Sequence, residues 1–292
     1  MKVAGLLKPW YVYRPSQAIR RVARVLRPPR NPVQVTNLPW GCQIEVDIRE
    51  TIGRSIWTTG LYDLTVAETL YRLADPALLA IDAGANIGAL TGLLAARAQE
   101  VWAFEPHPQV HVRLESNVGR FSRKPGFVPC RTFSLALADA DGEAMLECPE
   151  GFAANQGIAR LADDGRGTIP VKTARLDRLL EDRSVGLMKL DVEGHELSVL
   201  RGAKDALAAG RIRNIVFEDH IGPGSSVCDY LATHGYSIFA LGWGMFGLVL
   251  RPLGTRVHRA YEAPSYLATT QPTAAVTACR SRGWKSLNGR SR

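Results

Sequence analysis

One stretch, LLAIDAGANIGALTGLLAARA at residues 78–98, constrains the fold more than any other part of the sequence. An apolar run ends at Asp82, glycines stand at positions 84 and 88, and a helical pattern follows, with Asn86 as a candidate cap for the helix. Glycine permits backbone conformations and close approaches that a side chain would block. The pattern is typical of the strand-to-helix turn of an α/β sheet, at the edge where such folds bind ligands.

The same alternation of apolar runs and helical patterns continues along the chain. The apolar runs predict strands at 78–82, 100–104, 132–138, 186–191, 214–218, 236–240 and 246–250. Helices are predicted at 87–98, 108–119, 194–209 and 224–234. The last two strands lie too close together for a crossover helix, so they predict an antiparallel hairpin. The predicted fold class is α/β: a doubly wound, Rossmann-like, mostly parallel seven-stranded sheet that ends in this hairpin.

Composition divides the chain into a central domain and two basic ends. Residues 1–44 hold eight Lys or Arg and no acid, and residues 254–292 hold seven basic residues and one acid. Subtracting these +8 and +6 from the formal net charge of +8 leaves −6 for residues 45–253, which argues against a nucleic-acid-binding core. We expect a basic extension (1–37), a domain (38–253) made of an N-terminal hairpin and helix (38–76) and a cofactor-binding core (77–253), and a disordered basic tail (254–292). Within 38–76, residues 43–60 alternate like a hairpin and residues 64–74 predict an amphipathic helix.

The five cysteines and the basic N-terminus bear on where the protein acts. The cysteines are scattered and form no CxxC pair, which fits free thiols in a reducing cytoplasm better than disulfides or a zinc site. No apolar run reaches the roughly 18 residues that a transmembrane helix needs. Near the N-terminus, Ile19, Val22, Val25 and Leu26 share one helical face among arginines. Such a helix can lie on a membrane surface or cover a groove of its own domain, and both interpretations stay open.

The turn and the following strand indicate which nucleotide binds. Glu105 ends the next predicted strand, 21 positions after Gly84, where an acid can accept hydrogen bonds from both ribose hydroxyls of an adenosine. A GxGxxG fingerprint would need glycines at 84, 86 and 89, but the chain has Asn86 and Ala89. Asp82 is unfavourable beside a diphosphate and suits the ammonium group of S-adenosylmethionine. This chemistry favours a methyl donor over a nicotinamide cofactor, and a nicotinamide-dependent oxidoreductase or a non-catalytic cofactor-binding protein are the alternatives.

Acids and histidines cluster where two further strands end, in KLDVEGHE and FEDH. The five candidate catalytic residues are Asp191, Glu193, His195, Glu218 and His220. Methyl transfer to an alcohol needs no covalent enzyme intermediate, but it benefits from a base close to the hydroxyl proton. Any of these groups can be that base. The alternatives are helix capping by the acids, Glu196 included, and ligation of a divalent cation, which the spacing does not indicate.

Six motifs in order carry a family resemblance: IDAGANIGALT, AFEPHP, ALADADGEAML, TARLDRLL, LMKLDVEGHELSVLRGA and IVFEDH. Over residues 38–250 the chain resembles the FkbM family of S-adenosylmethionine-dependent methyltransferases. The resemblance implies a class I methyltransferase fold that uses S-adenosylmethionine, with O-methylation of a hydroxyl on a sugar, a polyketide or another small metabolite. Methylation of an amine or a carboxylate is the alternative. The cofactor-binding residues that it implies are Asp82, Gly84, Ala85, Asn86, Gly88, Glu105, Ala138 and Asp139.

The resemblance leaves several assignments open. Asp139 is expected to meet the adenine amine, although a solvated turn acid is an alternative for it. Residues 148–161 are expected to form a loop over the cofactor or the acceptor. Four aromatic residues can stack on the acceptor or belong to the core: Trp40, Trp57, Tyr62 and Trp243.

Overall fold

The computed structural model describes residues 19, 22–24, 26–27, 29–162, 167–244, 246–255 and 264–288. Its centre is an eight-stranded sheet with the order β13-β12-β14-β11-β10-β3-β4-β5. The strands are β3 (Leu79–Ala83), β4 (Glu100–Phe104), β5 (Cys130–Phe133), β10 (Val185–Leu190), β11 (Asn214–Glu218), β12 (Ser237–Gly244), β13 (Gly247–Pro252) and β14 (Ser265–Thr269). From β5 to β11 neighbouring strands are parallel, and β12 and β13 form the predicted antiparallel hairpin. The predicted α/β fold class is confirmed, with one strand more than expected.

Helices cover both faces of this sheet because alternate residues of its central strands face opposite sides. In β3, Ala80 belongs to one hydrophobic cluster, while Leu79 and Ile81 belong to the other. The helices are α1 (Thr51–Thr59), α2 (Leu64–Leu73), α3 (Ala89–Ala95), α4 (Pro108–Phe121), α5 (Leu176–Leu180), α6 (Glu196–Arg201), α7 (Lys204–Ala208), α8 (Ser226–Thr233) and α9 (Pro272–Cys279). The first cluster is packed by α2, α3 and α4, and the second by α5 to α8. The predicted helix 194–209 is divided into α6 and α7.

A second, four-stranded sheet with the order β6-β9-β7-β8 lies beside the main sheet and was not predicted. Its strands are β6 (Ala136–Leu137), β7 (Gly142–Glu147), β8 (Arg160–Leu161) and β9 (Ile169–Ala174). The predicted strand 132–138 is therefore wrong in extent, since β5 ends at Phe133 and β6 pairs with β9 in the other sheet. A continuous apolar run does not show where a chain leaves one sheet for another.

The N-terminal part of the domain is only partly as predicted. Strand β1 (Val33–Asn37) pairs with β2 (Gln43–Asp47) in an antiparallel hairpin, and α1 follows at Thr51–Thr59. The predicted hairpin over 43–60 is therefore wrong in its second half. Glu50 explains the difference, because its carboxylate accepts hydrogen bonds from the backbone N–H groups of Ile52 and Gly53 and so caps a helix at that point. The predicted helix at 64–74 is confirmed as α2.

The expectation of a disordered C-terminal tail is wrong for residues 264–288. Strand β14 lies between β11 and β12 and is antiparallel to both, and α9 follows it. A buried ion pair on α2 holds the segment that comes next, with 2.6 Å between Arg72 Nε and Glu68 Oε1. Glu68 accepts hydrogen bonds from the backbone of Lys285 and Ser286, and Arg72 donates to the carbonyl oxygen of Gly283. These contacts with α2 give a polar stretch without periodicity a fixed place in the fold.

Two further features relate to the cellular setting. All five cysteines are free thiols. Within the described part of the chain, no helix combines the length and the apolar character needed to cross a membrane. The predicted cytoplasmic location stays a prediction.

Candidate functional site

A cavity of 340 Å³ opens at the edge of the sheet where β3, β4, β10 and β11 end. Since these strands are parallel, their carboxyl ends bring the turn after β3 together with the acids that follow β10 and β11. The cavity is completed by residues before α2, by β6 and by the loop at 155–161. The two acidic motifs lie side by side because β10 pairs with β11.

The turn after β3 makes the wall of the cavity that carries the glycines. Gly84 and Asn86 have φ angles of 76° and 49°, and a Cβ atom on Gly84 would lie 1.8 Å from the carbonyl oxygen of Asp191. Only glycine therefore fits at position 84. Gly84, Ala85 and Asn86 line the cavity. Gly88 does not line it, but adopts a φ of 87° as the N-cap of α3.

Asn86 does not cap the helix as expected. Helix α3 begins at Ala89, and the side-chain oxygen of Asn86 accepts a hydrogen bond of 2.7 Å from the next backbone N–H group, that of Ile87. Asn86 therefore stabilises its own left-handed backbone conformation, which asparagine tolerates better than most residues.

Glu105 lies at the end of β4, beside the glycine turn. One carboxylate oxygen accepts from the backbone N–H of Asn86 at 3.0 Å, and the other accepts from that of His107 at 2.9 Å. Burial raises the pKa of Glu105 to about 7, against the opposing effect of these two hydrogen bonds. Each oxygen keeps a second lone pair, and Glu105 lines the cavity, so it can accept further hydrogen bonds from a ligand.

Asp82 is buried beneath the turn and does not line the cavity. It accepts a hydrogen bond of 2.6 Å from the hydroxyl of Thr91, and the ammonium group of Lys189 lies 3.6 Å from its other oxygen. Lys189 also donates to the carbonyl oxygen of Gly84 at 2.7 Å and lies 3.1 Å from a carboxylate oxygen of Asp191. This placement does not support the predicted contact of Asp82 with a ligand ammonium. Lys189 was not predicted as a site residue, although a lysine inside the apolar run VGLMKL is an unusual feature of the sequence.

The other two predicted cofactor residues lie away from the cavity. Ala138 is buried, and a Cβ atom on Gly202 would lie 1.9 Å from its carbonyl oxygen. Asp139 is exposed, and its backbone N–H donates to the hydroxyl of Ser198. Both assignments stay predictions that the cavity lining does not support, because the chain turns into the second sheet after Phe133. Residues 135–137 line the cavity in their place.

A second wall of the cavity carries three carboxyl groups, those of Asp191, Glu193 and Glu218. Burial raises the pKa of Glu193 to about 7 and that of Glu218 to about 8, and the negative charge of Asp191 adds to both shifts. Glu193 also has a φ of 54°, which is uncommon for a residue other than glycine. Acids whose pKa values lie near neutrality can exchange protons with a ligand.

Two histidines complete this wall. The ring of His195 lies with Nε2 2.8 Å from the carbonyl oxygen of Leu161, so the loop at 155–161 and β10 meet there. His220 Nε2 lies 2.9 Å from a carboxylate oxygen of Glu218, and its side chain is mostly exposed. Glu196 lies in the first turn of α6 and accepts hydrogen bonds from the backbone N–H groups of Val192 and Gly194, so it fixes the loop before the helix and does not cap the helix.

Asp63, which was not predicted as a site residue, also lines the cavity, and so does Tyr62, one of the four aromatic residues predicted to stack on the acceptor or belong to the core. Asp63 is the N-cap of α2 and accepts from the backbone of Val66. Burial raises the pKa of Tyr62 to about 12, with Asp63 and Asp191 adding to the shift, so the phenol keeps its proton as a donor. Among the four aromatic residues considered, Trp40 and Tyr62 line the cavity.

The chain shares its domain with a known family. The model of the methyltransferase FkbM domain matches residues 82–238, just over half of the sequence. The chain belongs to the FkbM methyltransferase family. The resemblance deduced from the sequence motifs is confirmed. The FkbM match contains the glycine turn, Glu105 and the acids after β10 and β11, but it leaves Tyr62, Asp63 and β14 outside.

Curated relatives of this FkbM-family chain include enzymes of different size. The hexuronic acid methyltransferase AglP of Haloferax volcanii is 37% identical over 145 residues, which are 48% of this chain and 55% of AglP. The 31-O-demethyl-FK506 methyltransferase FkbM of Streptomyces tacrolimicus is 29% identical over 216 residues, 63% of this chain and 80% of that protein. The AMB antimetabolite synthetase AmbE of Pseudomonas aeruginosa is 28% identical over 210 residues, 56% of this chain but 10% of AmbE. The chain therefore spans about half of AglP and a small part of AmbE.

Proposed function

We propose that this protein is an S-adenosylmethionine-dependent methyltransferase that methylates a hydroxyl of a small molecule such as a sugar or a polyketide. One observation carries the proposal. A single cavity is lined both by the glycine turn with Glu105 and by carboxyl groups with raised pKa values. A methyl donor and an acceptor hydroxyl need such an arrangement, since the enzyme must hold both in line and accept a proton.

The residues of the first wall fit the adenosine part of S-adenosylmethionine. Without a side chain at Gly84, the turn packs against Asp191, and the backbone of Ala85 and Asn86 faces the cavity. Glu105 has lone pairs for the ribose hydroxyls, and the apolar Leu135 and Leu137 can lie against the adenine ring. When bound, S-adenosylmethionine supplies a methyl group on a positively charged sulfur.

The acceptor side is supported by the names of two relatives. AglP is named for a hexuronic acid and the Streptomyces FkbM for a demethylated FK506, so relatives of this domain act on small molecules. In this chain the lining of the cavity combines the rings of Trp40 and Tyr62 with the polar groups of Asp63 and Glu218. Rings beside hydrogen-bonding groups suit a molecule that carries hydroxyls on an apolar frame.

Glu218 is the proposed base. Its raised pKa makes its carboxylate a stronger proton acceptor than an ordinary glutamate at neutral pH. The exposed ring of His220, 2.9 Å away, can carry the proton on to solvent. Glu193 is the alternative base, and Asp191 with Lys189 positions the wall from which both project.

Calorimetric titration tests the cofactor. S-adenosylmethionine is expected to bind, and Glu105→Gln to weaken binding by about ten- to a hundredfold, the loss of charged hydrogen bonds worth about 1.5–3 kcal/mol. Glu115→Gln is the control, because Glu115 is an exposed glutamate on the neighbouring helix α4. Tighter binding of NAD than of S-adenosylmethionine would overturn the proposal in favour of an oxidoreductase.

A second experiment tests the acceptor and the bond that forms. The protein is incubated with S-adenosylmethionine labelled in its methyl group and with a metabolite extract, and the labelled product is isolated. We expect a methyl ether. A labelled amine or ester would keep the cofactor assignment but refute the hydroxyl acceptor, and labelling unchanged by Glu218→Gln would refute the base.

A further inference from the structure

The helical segment near the N-terminus presents its apolar side chains to solvent. Ile19, Val22 and Leu26 occupy one face of a helix by their spacing, and their exposed fractions are 73%, 42% and 74%. Val25, which the spacing places near the same face, lies outside the described residues. Three exposed apolar side chains on one helical face leave an unfavourable contact with water that a partner can remove.

The side of this segment that meets the protein is cationic. The guanidinium group of Arg24 lies 4.6 Å from the ring centre of Trp57 on α1. The nearby residues Ala23 and Arg27 are exposed. A helix that covered a groove of its own domain would bury Ile19 and Leu26 and expose its arginines. In this structure Ile19 and Leu26 are exposed and Arg24 contacts the domain, which does not support the intramolecular cover considered from the sequence.

Charge identifies the surface that fits this segment. Residues 1–44 carry eight Lys or Arg and no acid, and the following residues 45–253 are net acidic. An exposed apolar face flanked by arginines suits a bilayer with anionic headgroups, since the side chains enter the interface and the cations pair with the lipid phosphates. We propose that the helical face formed by Ile19, Val22 and Leu26 docks the protein on an anionic membrane surface.

Helix α1 connects the docked segment to the cavity. Helix α1 carries Trp57, which contacts the segment, and Ile52, which lines the cavity. Docking would therefore place one wall of the cavity beside the bilayer. This consequence rests on the proposed function, but the docking itself does not, because vesicle binding can be measured without turnover.

Vesicle co-sedimentation of the full chain tests the docking. We expect binding to vesicles of phosphatidylglycerol mixed with phosphatidylcholine, little binding to phosphatidylcholine alone, and loss of binding as salt is raised. The double variant Ile19→Glu with Leu26→Glu is expected to bind the anionic vesicles at least about tenfold less.

The control variant introduces the same two charges elsewhere. Val35 and Val112 are also exposed, so Val35→Glu with Val112→Glu should leave vesicle binding within about twofold of the unmodified protein. Equal loss in both variants would show a general charge effect and overturn the proposal. So would absence of binding to anionic vesicles, or light scattering that shows the segment pairing two copies of the chain.

Discussion

The buried ion pair on α2 makes the most quantitative prediction about this fold. Replacing Arg72 by methionine keeps a long apolar side chain but removes the guanidinium group from the carboxylate of Glu68. Both side chains are almost fully buried, with exposed fractions of 1% and 0%. The variant therefore leaves a carboxylate without its cation in a place that water does not reach.

The expected cost follows from this burial. Removing one partner of a buried pair destabilises a protein by about 3–5 kcal/mol, because the remaining charge stays desolvated. Arg72 also donates to the carbonyl oxygens of Ala278 and Gly283, so the variant loses these hydrogen bonds to the C-terminal segment as well. Against a total stability of roughly 5–15 kcal/mol, Arg72→Met should lower the denaturant midpoint strongly.

Urea unfolding followed by circular dichroism measures this loss, and Arg178→Met is the matched control. Arg178 pairs with Asp141 at 3.0 Å, but both side chains are largely exposed, so its loss should cost less than about 1 kcal/mol. The double variant Glu68→Gln with Arg72→Met should be more stable than Arg72→Met alone, since it removes the unpaired charge. Similar midpoints for Arg72→Met and Arg178→Met would refute the reasoning.

Four predictions concern the cavity. Lys189→Met should destabilise the fold by about 3–5 kcal/mol in urea unfolding, because it strands the buried carboxylate of Asp82, and adding Asp82→Asn should recover part of that loss. Gly84→Ala should abolish binding of S-adenosylmethionine in calorimetry, since its Cβ atom would displace the backbone of Asp191; unchanged affinity would contradict the role of the turn. Methyl transfer should rise with pH through about 8 as Glu218 loses its proton, and Glu218→Gln should remove that dependence; a profile that survives the substitution would assign the base elsewhere. Because its pKa is raised on folding, protonated Glu218 stabilises the folded state. This contribution is complete below pH 4.5 and is lost as the pH rises through about 8. Glu218→Gln should therefore make the free energy of unfolding less dependent on pH over that range.

The parts of the fold that the sequence predicts well are those that local pattern determines. Strand β3 and its glycine turn could be recognised because a fully buried strand is a continuous apolar run and because the turn needs residues that tolerate a positive φ. The C-terminal strand β14 could not be recognised in the same way. It is also short and apolar, but its neighbour along the chain is a polar stretch whose order depends on Glu68 and Arg72, about 200 residues earlier.

In the candidate site, too, the features set by local sequence could be predicted, and those set by distant contacts could not. The identity of the acids in KLDVEGHE and FEDH was visible, and so was their place at the ends of two strands. Their altered proton affinity was not, because it depends on how the groups crowd in space. Glu218 has a raised pKa through burial first and then through Asp191, Glu193 and Asp63, which come from two other elements of the fold. Asp63 belongs to a helix cap outside the FkbM match, yet its charge acts on the proposed base. The basicity of Glu218 is therefore a property of the assembled domain, and the segment before α2 should influence it as directly as the motif that contains it.

Asp63→Asn tests this influence of the segment before α2: it should lower the pH midpoint of methyl transfer, because a neutral amide no longer opposes ionisation of Glu218. An unchanged midpoint would confine the control of the base to the acids that follow β10.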